Sequence, residues 1–263
     1  MRFTLTLSKQ NTCNSELPLN YQYPLSAAIY KIINRADEQY AAFLHSTGYR
    51  YNNKTFKFFT FSDLRTPFQV KGDRMIMNSN EADLTICFHI PDAAENFIKG
   101  IFMYQQLDIA DSISKVSFIV QQVVAEKPSM FEENTVVLQP MSPIVIGRKN
   151  NRGNYDYVSP KDADFTALIA QNLVDKCAAE METSVSELAE IKQSIKIIPL
   201  FFSNAPRGRL LTIKSGTAAE TKVRGFDKFR LRITAPKRVL EMALNSGIGM
   251  NNAMGMGCVG IVN

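Results

Sequence analysis

The residues best suited to proton transfer in this chain are its two histidines, because imidazole titrates near neutral pH, with a reference pKa of about 6.5. His45 follows Tyr30 by fifteen residues, and three cations come after it, at Arg50, Lys54 and Lys57. A proton-transfer group beside cations suits a reaction in which negative charge develops. Judged on these residues alone, Tyr30 would be a core aromatic side chain and His45 a cap at the C-terminal end of a helix.

The second histidine, His89, lies in the segment DLTICFHI. Two-residue alternation places it on the strand face that it shares with Thr85 and Cys87, opposite the apolar side chains of the same segment. This is a sheet-surface position. We therefore predict a structural role for His89.

Metal chemistry finds little support in the sequence. There is no HxE or HExxH motif, and the four cysteines form no CxxC pair, since they are far apart at Cys13, Cys87, Cys177 and Cys258. Reduced, buried thiols are therefore expected rather than a zinc site or a disulfide framework. We predict a reaction that uses no metal and no cofactor.

The glycine-rich loop, residues 247–257 with the sequence GIGMNNAMGMG, contains two Gly-apolar-Gly triplets that flank five residues. Glycine allows positive φ and a close approach of the backbone to a ligand. Nucleotide-cofactor loops run from a strand into a helix, whereas this one leaves a predicted helix and enters a predicted strand, so a cofactor role is disfavoured. Two interpretations stay open: exposed amides along a nucleic-acid backbone, or a turn packed for shape alone.

Positive charge is concentrated in one stretch of the chain. Residues 192–238 contain twelve Lys and Arg but only Glu220 and Asp227, a local charge of +10, whereas the remaining residues sum to −5. Solvated surfaces usually intersperse the two signs, so this stretch predicts phosphate contacts. A basic face that only aids solubility is the alternative.

The bulk properties indicate a compact, folded protein. A length of 263 residues exceeds the usual domain size, which is roughly 100–200 residues, so two moderate domains are expected. No apolar run approaches the ~20 residues that span a bilayer. The start, MRFTLTLSKQ, alternates like a strand and not like a signal peptide. We expect a cytoplasmic location and no membrane partner.

The elements that must position these residues have the same order in both halves of the chain. In the first half we predict, in chain order, a strand at 2–8, a helix from Pro24 to about Leu44, a strand at 54–62, a hairpin of strands 68–77 and 83–90 joined through NSNE, a helix at 92–105 and a strand at 112–124. After a polar linker, EKPSMFEEN, we predict a strand at 136–146, a helix at 160–181, strands at 195–202, 209–214 and 228–234, a helix at 236–245 and a strand at 258–262.

This repeated β-α-β-β-α-β order predicts an α+β fold of two tandem ferredoxin-like, or RRM-like, domains. Their predicted bounds are residues 1–125 and 135–263. The first domain carries the candidate catalytic residues. The second carries a basic hairpin, SGTAAETKVRGF with its flanking residues, and the glycine-rich loop.

The whole pattern resembles a known family, the CRISPR-associated endoribonucleases of the Cas-six type in the repeat-associated (RAMP) superfamily of paired ferredoxin-like domains. Their signature is a C-terminal Gly-apolar-Gly triplet, a polar middle and a second such triplet, which GIGMNNAMGMG matches. The resemblance extends through KVRGFDKFRLRI and PLSAAIYKIINRADEQYAAFLHSTGYRYNNKTFKFFTFS. It covers essentially the whole chain.

The resemblance implies a metal-independent endoribonuclease that cuts CRISPR repeat RNA in precursor transcripts to release guide crRNA. By that resemblance the 2′-hydroxyl attacks the adjacent phosphate, His45 transfers a proton, Tyr30 orients or deprotonates the nucleophile, and Lys54 stabilises the negative charge. The distance from His45 to Lys54 exceeds the commonest family spacing, so Arg50 and Lys57 are rivals for the last role.

The resemblance also implies which residues hold RNA. The basic hairpin corresponds to one that contacts the repeat stem. Apart from the resemblance, Arg207, Arg209, Arg230 and Arg232 are further candidates for phosphate contacts, although the alternation that places Arg230 and Arg232 on one strand face fits a solvated sheet surface equally well. The expected RNA-binding set is Lys214, Lys222, Arg224, Gly247, Gly249, Asn251, Asn252, Gly255 and Gly257.

Alternatives to the nuclease stay open at this point. One is a catalytically inactive RNA-binding scaffold among other CRISPR effector subunits. Another is a ferredoxin-like metabolic enzyme that binds a small anion. The sequence also leaves open whether the chain forms a homodimer.

Overall fold

A computed structural model describes residues 1–10, 15–127, 134–181, 183–202 and 206–262. Cys13 and most of the predicted linker at 126–134 lie outside the described residues. Each half of the chain builds one main antiparallel sheet with helices packed against it. None of the described helices is both long and apolar enough to cross a membrane.

The first half forms a five-stranded sheet in the order β5-β8-β1-β10-β9. Its elements are β1 (Arg2–Lys9), β2 (Glu16–Pro18), α1 (Gln22–Ala36), α2 (Glu38–Ser46), β3 (Tyr49–Tyr51), β4 (Lys54–Phe56), β5 (Phe59–Phe61), β6 (Phe68–Lys71), β7 (Arg74–Met77), β8 (Glu81–Phe88), α3 (Pro91–Met103), β9 (Gln106–Ala110) and β10 (Lys115–Ala125). Alternation along β1 buries Phe3, Leu5 and Leu7 as predicted. They pack with α1 and α3 in one core.

The second half forms a four-stranded sheet in the order β14-β17-β11-β18. Its elements are β11 (Thr135–Pro140), β12 (Gly147–Lys149), β13 (Tyr155–Tyr157), α4 (Phe165–Glu180), α5 (Val185–Ser194), β14 (Lys196–Leu200), β15 (Arg207–Ile213), β16 (Thr221–Asp227), β17 (Arg230–Thr234), α6 (Lys237–Ser246) and β18 (Val259–Ile261), with a 3-10 turn at Asn252–Met254. The predicted basic hairpin is present as the pair β15 and β16.

Both sheets have the ferredoxin-like strand order. In the first half β1, β5, β8 and β10 are the four strands of the unit and β9 is an added edge strand. In the second half the four strands of the unit are β11, β14, β17 and β18. The predicted class, two tandem ferredoxin-like units, is confirmed.

The single helix predicted from Pro24 to about Leu44 is two helices. Asp37 between them is extended, with φ −154°, and its side chain accepts a hydrogen bond from the Tyr40 amide. An aspartate in this position caps a new helix better than it continues an old one. The chain therefore turns at Asp37, and α2 folds back on α1.

Two strand predictions in the first half are also wrong in detail. The strand predicted at 54–62 is interrupted at Phe58, whose φ of 54° takes the backbone out of the strand. The predicted hairpin of 68–77 with 83–90 does not form, because Gly72 supplies a tight turn that pairs β6 with β7. β8 instead pairs with β1 and β5, as a buried central strand.

In the second half, the strand predicted at 136–146 ends at Pro140, since proline cannot continue the strand ladder. Residues 141–146 continue as a loop with one isolated bridge, Ile144 to Phe226. The helix predicted from 160 begins at Phe165. The helix α5 and the edge strand β9 were not predicted.

The two halves pack closely against each other. Phe58 of the first half lies in the core of the second, 2% exposed. The Arg2 guanidinium donates to the Val259 carbonyl oxygen at 2.8 Å, and the Thr60 hydroxyl donates to the Met256 carbonyl oxygen at 2.9 Å. This packing creates the walls of a cleft between the halves.

Candidate functional site

A cleft of about 730 Å³ lies between the two halves. One wall comes from α1, α2 and the β4 region, and the other comes from α4 and the glycine-rich loop. It collects eight of the residues singled out in the sequence, namely Tyr30, His45, Lys54, Lys57, Lys214, Gly249, Asn251 and Asn252.

Tyr30 and His45 meet because the chain turns at Asp37. Their ring centroids are 5.5 Å apart, edge to face, and Tyr30 also packs against Phe59 at 5.4 Å. His45 lies within the last turn of α2 and not after a helix, and its side chain is exposed. Burial raises the pKa of the Tyr30 hydroxyl well above its usual value, so this group keeps its proton at neutral pH.

Lys54 and Lys57, two of the lysines that line the cleft, differ in their partners. Lys54 Nζ forms a close ion pair with the carboxylate of Asp175 on α4, which also accepts a hydrogen bond from Gln171. Lys57 Nζ donates to the His45 carbonyl oxygen at 2.9 Å. Burial and the neighbouring guanidinium of Arg50 lower the pKa of Lys57. Arg50 itself is exposed on β3 and does not line the cleft.

The four glycines of the glycine-rich loop are buried together with Ile248 and Met256, whereas residues 250–254 are half-buried and line the cleft. Gly247, Gly249, Gly255 and Gly257 have φ of 80°, 79°, 79° and 69°, which disfavours any other residue. A Cβ on Gly257 would clash with the Ile248 carbonyl oxygen. The glycines therefore give the loop its shape.

Of the two interpretations that the sequence left open for this loop, a strip of exposed amides does not describe Gly249, Gly255 and Gly257, whose amides are hydrogen-bonded within the protein. The Gly249 amide donates to Asn172 Oδ1 at 3.1 Å, the Gly255 amide to the Asn252 carbonyl oxygen at 2.9 Å and the Gly257 amide to the Pro143 carbonyl oxygen at 2.8 Å. These donors are used because a buried amide without a partner is costly. The loop residues that line the cleft are the buried Gly249 and the half-buried residues 250–254.

Lys176 on α4 also lines the cleft and was not singled out in the sequence. Its side chain is buried, 1% exposed, and burial lowers its pKa to about 7. Its Nζ donates to the Gly247 carbonyl oxygen at 2.6 Å and to Asn252 Oδ1 at 2.8 Å. The apolar neighbours Leu173, Val174 and Cys177 were the available signal that this face of the helix is buried.

The basic hairpin divides its cations between two surfaces. Lys214 lies at the turn and lines the cleft, whereas Lys222 and Arg224 project together from the exposed face of β16. Arg207 pairs with Asp227, and Arg209 pairs closely with Asp63 of the first half. These two arginines therefore hold the hairpin in place.

The other arginines and the second histidine lie away from the cleft. Arg230 is half-buried with its guanidinium 4.8 Å from the Phe202 ring, and Arg232 is exposed. His89 follows β8, and its Nε2 is 2.6 Å from Glu180 Oε1 on α4. The strand face of Thr85 and Cys87 is buried and not a sheet surface, because the second half covers it.

Within the described residues no group of three or more potential metal ligands comes together. Asp162 and Asp164 are close in sequence but have other partners. Asp162 accepts a hydrogen bond from the Ser159 amide, and Asp164 forms an ion pair with Arg148. The three cysteines that the structure describes are free and buried.

Two family models match the chain and together cover nearly all of it. Residues 16–124 match the N-terminal model of CRISPR-associated protein Cas6. Residues 124–261, more than half of the chain, match the C-terminal model of the same protein. The chain belongs to the Cas6 family.

Curated relatives within the Cas6 family are distant but similar along much of the chain. CRISPR-associated endoribonuclease Cas6 1 of Methanocaldococcus jannaschii is 25% identical over 98% of this chain and 92% of its own length. CRISPR-associated endoribonuclease Cas6 of Pyrococcus furiosus is 26% identical over 67% of this chain and 63% of its own length. The predicted family resemblance is confirmed.

Solved structures share the fold. One, described as a Cas6-related gene product from Pyrococcus furiosus, has a TM-score of 0.81 at 19% identity and covers 100% of this chain and 98% of its own. Another, described as an RAMP protein binding different RNA substrates, has a TM-score of 0.79 at 19% identity and covers both chains fully. These likenesses support a fold of two ferredoxin-like units.

Proposed function

We propose that this member of the Cas6 family is an endoribonuclease that cuts CRISPR repeat RNA in precursor transcripts and releases crRNA. The observation that carries the proposal is the contact of Tyr30 with His45 in a cleft that Lys54 and Lys57 also line. The family of the chain and the printed names of its curated relatives support the substrate class. The proposed reaction requires no metal ion.

The reaction is an internal transfer at phosphorus. The 2′-hydroxyl loses its proton and attacks the adjacent phosphorus, the bond from phosphorus to the 5′-oxygen breaks, and that oxygen takes up a proton. The products are a 2′,3′-cyclic phosphate and a 5′-hydroxyl. The protein must therefore supply a base, an acid and positive charge.

Tyr30 keeps its proton at neutral pH, because burial raises its pKa. It is therefore suited to donate a hydrogen bond or a proton and poorly suited to act as the base. His45 is exposed at the mouth of the cleft and takes the second proton-transfer role. The two rings are close enough to contact one phosphodiester group from the same side.

Positive charge for the transition state comes mainly from Lys57 in this proposal, with Lys54 as the second cation. The carboxylate of Asp175 neutralises much of the charge of Lys54. Lys57 contacts the His45 carbonyl oxygen, and within the described residues it has no carboxylate partner. An unneutralised, partly desolvated cation beside the reacting group stabilises developing negative charge most effectively.

RNA binding is assigned to two surfaces. Lys214 and residues 250–254 hold the strand in the cleft, and Lys222 with Arg224 bind phosphates of an adjoining RNA segment on the outer face of the hairpin. Gly247, Gly255 and Gly257 act indirectly by shaping the loop. The catalytic domain in this proposal is residues 1–125, and the RNA-binding domain is residues 135–263.

The deciding experiment incubates the purified protein with repeat RNA from its own genomic neighbourhood in excess chelator. We expect the wild type to cleave this RNA but not a substrate whose scissile 2′-hydroxyl is replaced by hydrogen. His45→Ala should bind the RNA but cleave it at least about 100-fold more slowly than the wild type. Thr47→Ala is the control, since Thr47 is exposed next to the same helix end and lies outside the cleft lining.

The opposite results are equally informative. If chelator abolishes cleavage, the metal-independent reaction is wrong. If neither the wild type nor His45→Ala cuts RNA that both bind, the chain is an RNA-binding scaffold, with other effector subunits as its natural partners. If the wild type binds no RNA at moderate salt, the assignment to repeat RNA fails altogether.

A further inference from the structure

Lys176 is a buried amine that the reaction described above does not use. It lies on α4, and four oxygen atoms surround its Nζ. The acceptors are the Gly247 carbonyl oxygen at 2.6 Å, Asn252 Oδ1 at 2.8 Å, the Ser246 hydroxyl at 3.2 Å and the Ser246 carbonyl oxygen at 3.3 Å. All of them belong to the end of α6 or to the glycine-rich loop.

Asn252 extends this network through the loop. Its Oδ1 accepts from Lys176, while its Nδ2 donates to the Ile248 carbonyl oxygen at 3.2 Å and the Met256 carbonyl oxygen at 3.0 Å. The side-chain amide of Asn252 thus connects the two ends of the loop by hydrogen bonds, and Lys176 connects this side chain to α4. Asn172, one turn earlier on α4, accepts from the Gly249 amide at 3.1 Å.

The far side of the loop touches the helix that carries Tyr30. The Ser26 hydroxyl on α1 donates to the Ala253 carbonyl oxygen at 2.6 Å. Ser26 and Tyr30 are four residues apart, so they lie on the same face of α1 and both line the cleft. The loop therefore connects α4 of the second half with the tyrosine of the first.

Burying an amine without a carboxylate partner costs free energy that an apolar side chain at the same position would avoid. None of the four hydrogen-bond partners of Lys176 is a carboxylate. Burial accordingly lowers the pKa of Lys176 to about 7. A residue that costs stability and arranges a loop beside reactive groups fits a role in positioning better than one in folding.

We propose that Lys176 is a positioning residue, which holds residues 250–254 of the glycine-rich loop against α1 and so sets the place of the RNA strand relative to Tyr30 and His45. This inference rests on the proposed function. It assigns Lys176 no contact with RNA and no proton transfer. Its effect passes through Asn252 and the loop backbone.

The test compares wild type, Lys176→Met and a charge-matched control, Lys99→Met, whose lysine is exposed on α3 and lies outside the cleft. Single-turnover cleavage under saturating protein, the RNA dissociation constant and the melting temperature are measured for each. We expect Lys176→Met to lower the cleavage rate by about 10- to 100-fold, the range that a misplacement of about 1 Å produces. Its dissociation constant should stay within threefold of wild type, and the melting curves fix a temperature at which all three proteins are folded and their rates can be compared.

A wild-type cleavage rate in Lys176→Met overturns the inference. So does a rate loss that is matched by the same loss of affinity, or that disappears when only folded protein is counted. Should Lys176→Met not fold, Asn172→Ala replaces it, since this variant releases the Gly249 amide from the same helix, and an unchanged rate there overturns the inference as well. A wild type that does not cut RNA contradicts the proposed function instead, whatever the variants do.

Discussion

Lys54 and Lys57 lie three residues apart and both line the cleft, but their surroundings neutralise their positive charges to different extents. Asp175 faces Lys54, whereas the His45 carbonyl oxygen faces Lys57. We predict that Lys57→Ala lowers the single-turnover cleavage rate by about 100-fold and Lys54→Ala by about 10-fold or less, because removing one donor from a developing oxyanion costs roughly 100- to 1,000-fold. Rates at saturating protein concentration check this. A larger loss for Lys54→Ala would return the charge-stabilising role to Lys54.

Lys176 should also make stability depend on pH. Burial lowers its pKa in the folded protein to about 7 from an ordinary value of 10.5. Between these values the unfolded chain holds the proton and the folded chain has lost it, so the free energy of unfolding increases with pH. Lys176→Met lacks this group. The stability of wild type minus that of Lys176→Met should therefore rise from pH 7 to pH 10, as measured by denaturant unfolding, and a constant difference would contradict the prediction.

Site residues could be predicted from the sequence where the residue type is rare, as with histidine. They could not be predicted where a common residue type, such as lysine, has unusual surroundings in the fold. The chain has two histidines, so His45 was easily selected, and Tyr30 followed from the family pattern. Lysines are frequent and usually solvated. The apolar neighbours of Lys176 indicate a buried helix face, but its amine is enclosed by the packing of α6 and the loop on α4, which no local pattern encodes.

At the level of elements, the glycine-rich loop is held by steric limits as well as by hydrogen bonds. Gly255 has φ +79°, and a Cβ there would clash with the Phe61 ring. Gly216, at the tip of the basic hairpin, has φ +73° but meets nothing within 4 Å. Both glycines have a positive φ, but of the two only Gly255 is also crowded by a neighbouring side chain. Comparing substitutions at the two positions therefore separates the cost of backbone strain from the cost of crowding.

We predict that Gly216→Ala lowers the free energy of unfolding by about 1 kcal/mol, from the left-handed backbone alone. Gly255→Ala should cost about 3 kcal/mol, since overpacking adds to the same strain. Chemical denaturation of both variants beside wild type provides the measurement. Equal losses would mean that the Phe61 ring moves aside without cost.

The order of the main elements was predictable because apolar periodicity marks each core-forming helix and strand. The break at Asp37 was not predicted, since Ile29, Ile33 and Tyr40 keep a helical spacing on both sides of it. The signal was nevertheless present, because Asp37 is a good helix N-cap. The pairing of β8 with β1 instead of β7 could not be predicted locally, since it joins residues far apart in the chain.

For the whole molecule, the cleft exists only while the two halves stay in fixed relation, so their contact surface is part of the site. It contains the buried Phe58, the Arg2 hydrogen bond to Val259 and the close pair of Asp63 with Arg209. Chains with two domains often unfold in separate steps. Here each half completes the packing of the other, and separation would expose apolar surface on both.

We therefore predict a single unfolding transition for the whole chain. Hydrogen exchange with mass spectrometry at increasing denaturant follows peptides of each half separately, and both sets should lose protection at the same midpoint. Arg2→Met should move both midpoints together, because the lost hydrogen bond joins β1 to β18 and belongs to neither half alone. Two separate midpoints would show that the halves are independent, and the cleft would then have to be organised by bound RNA.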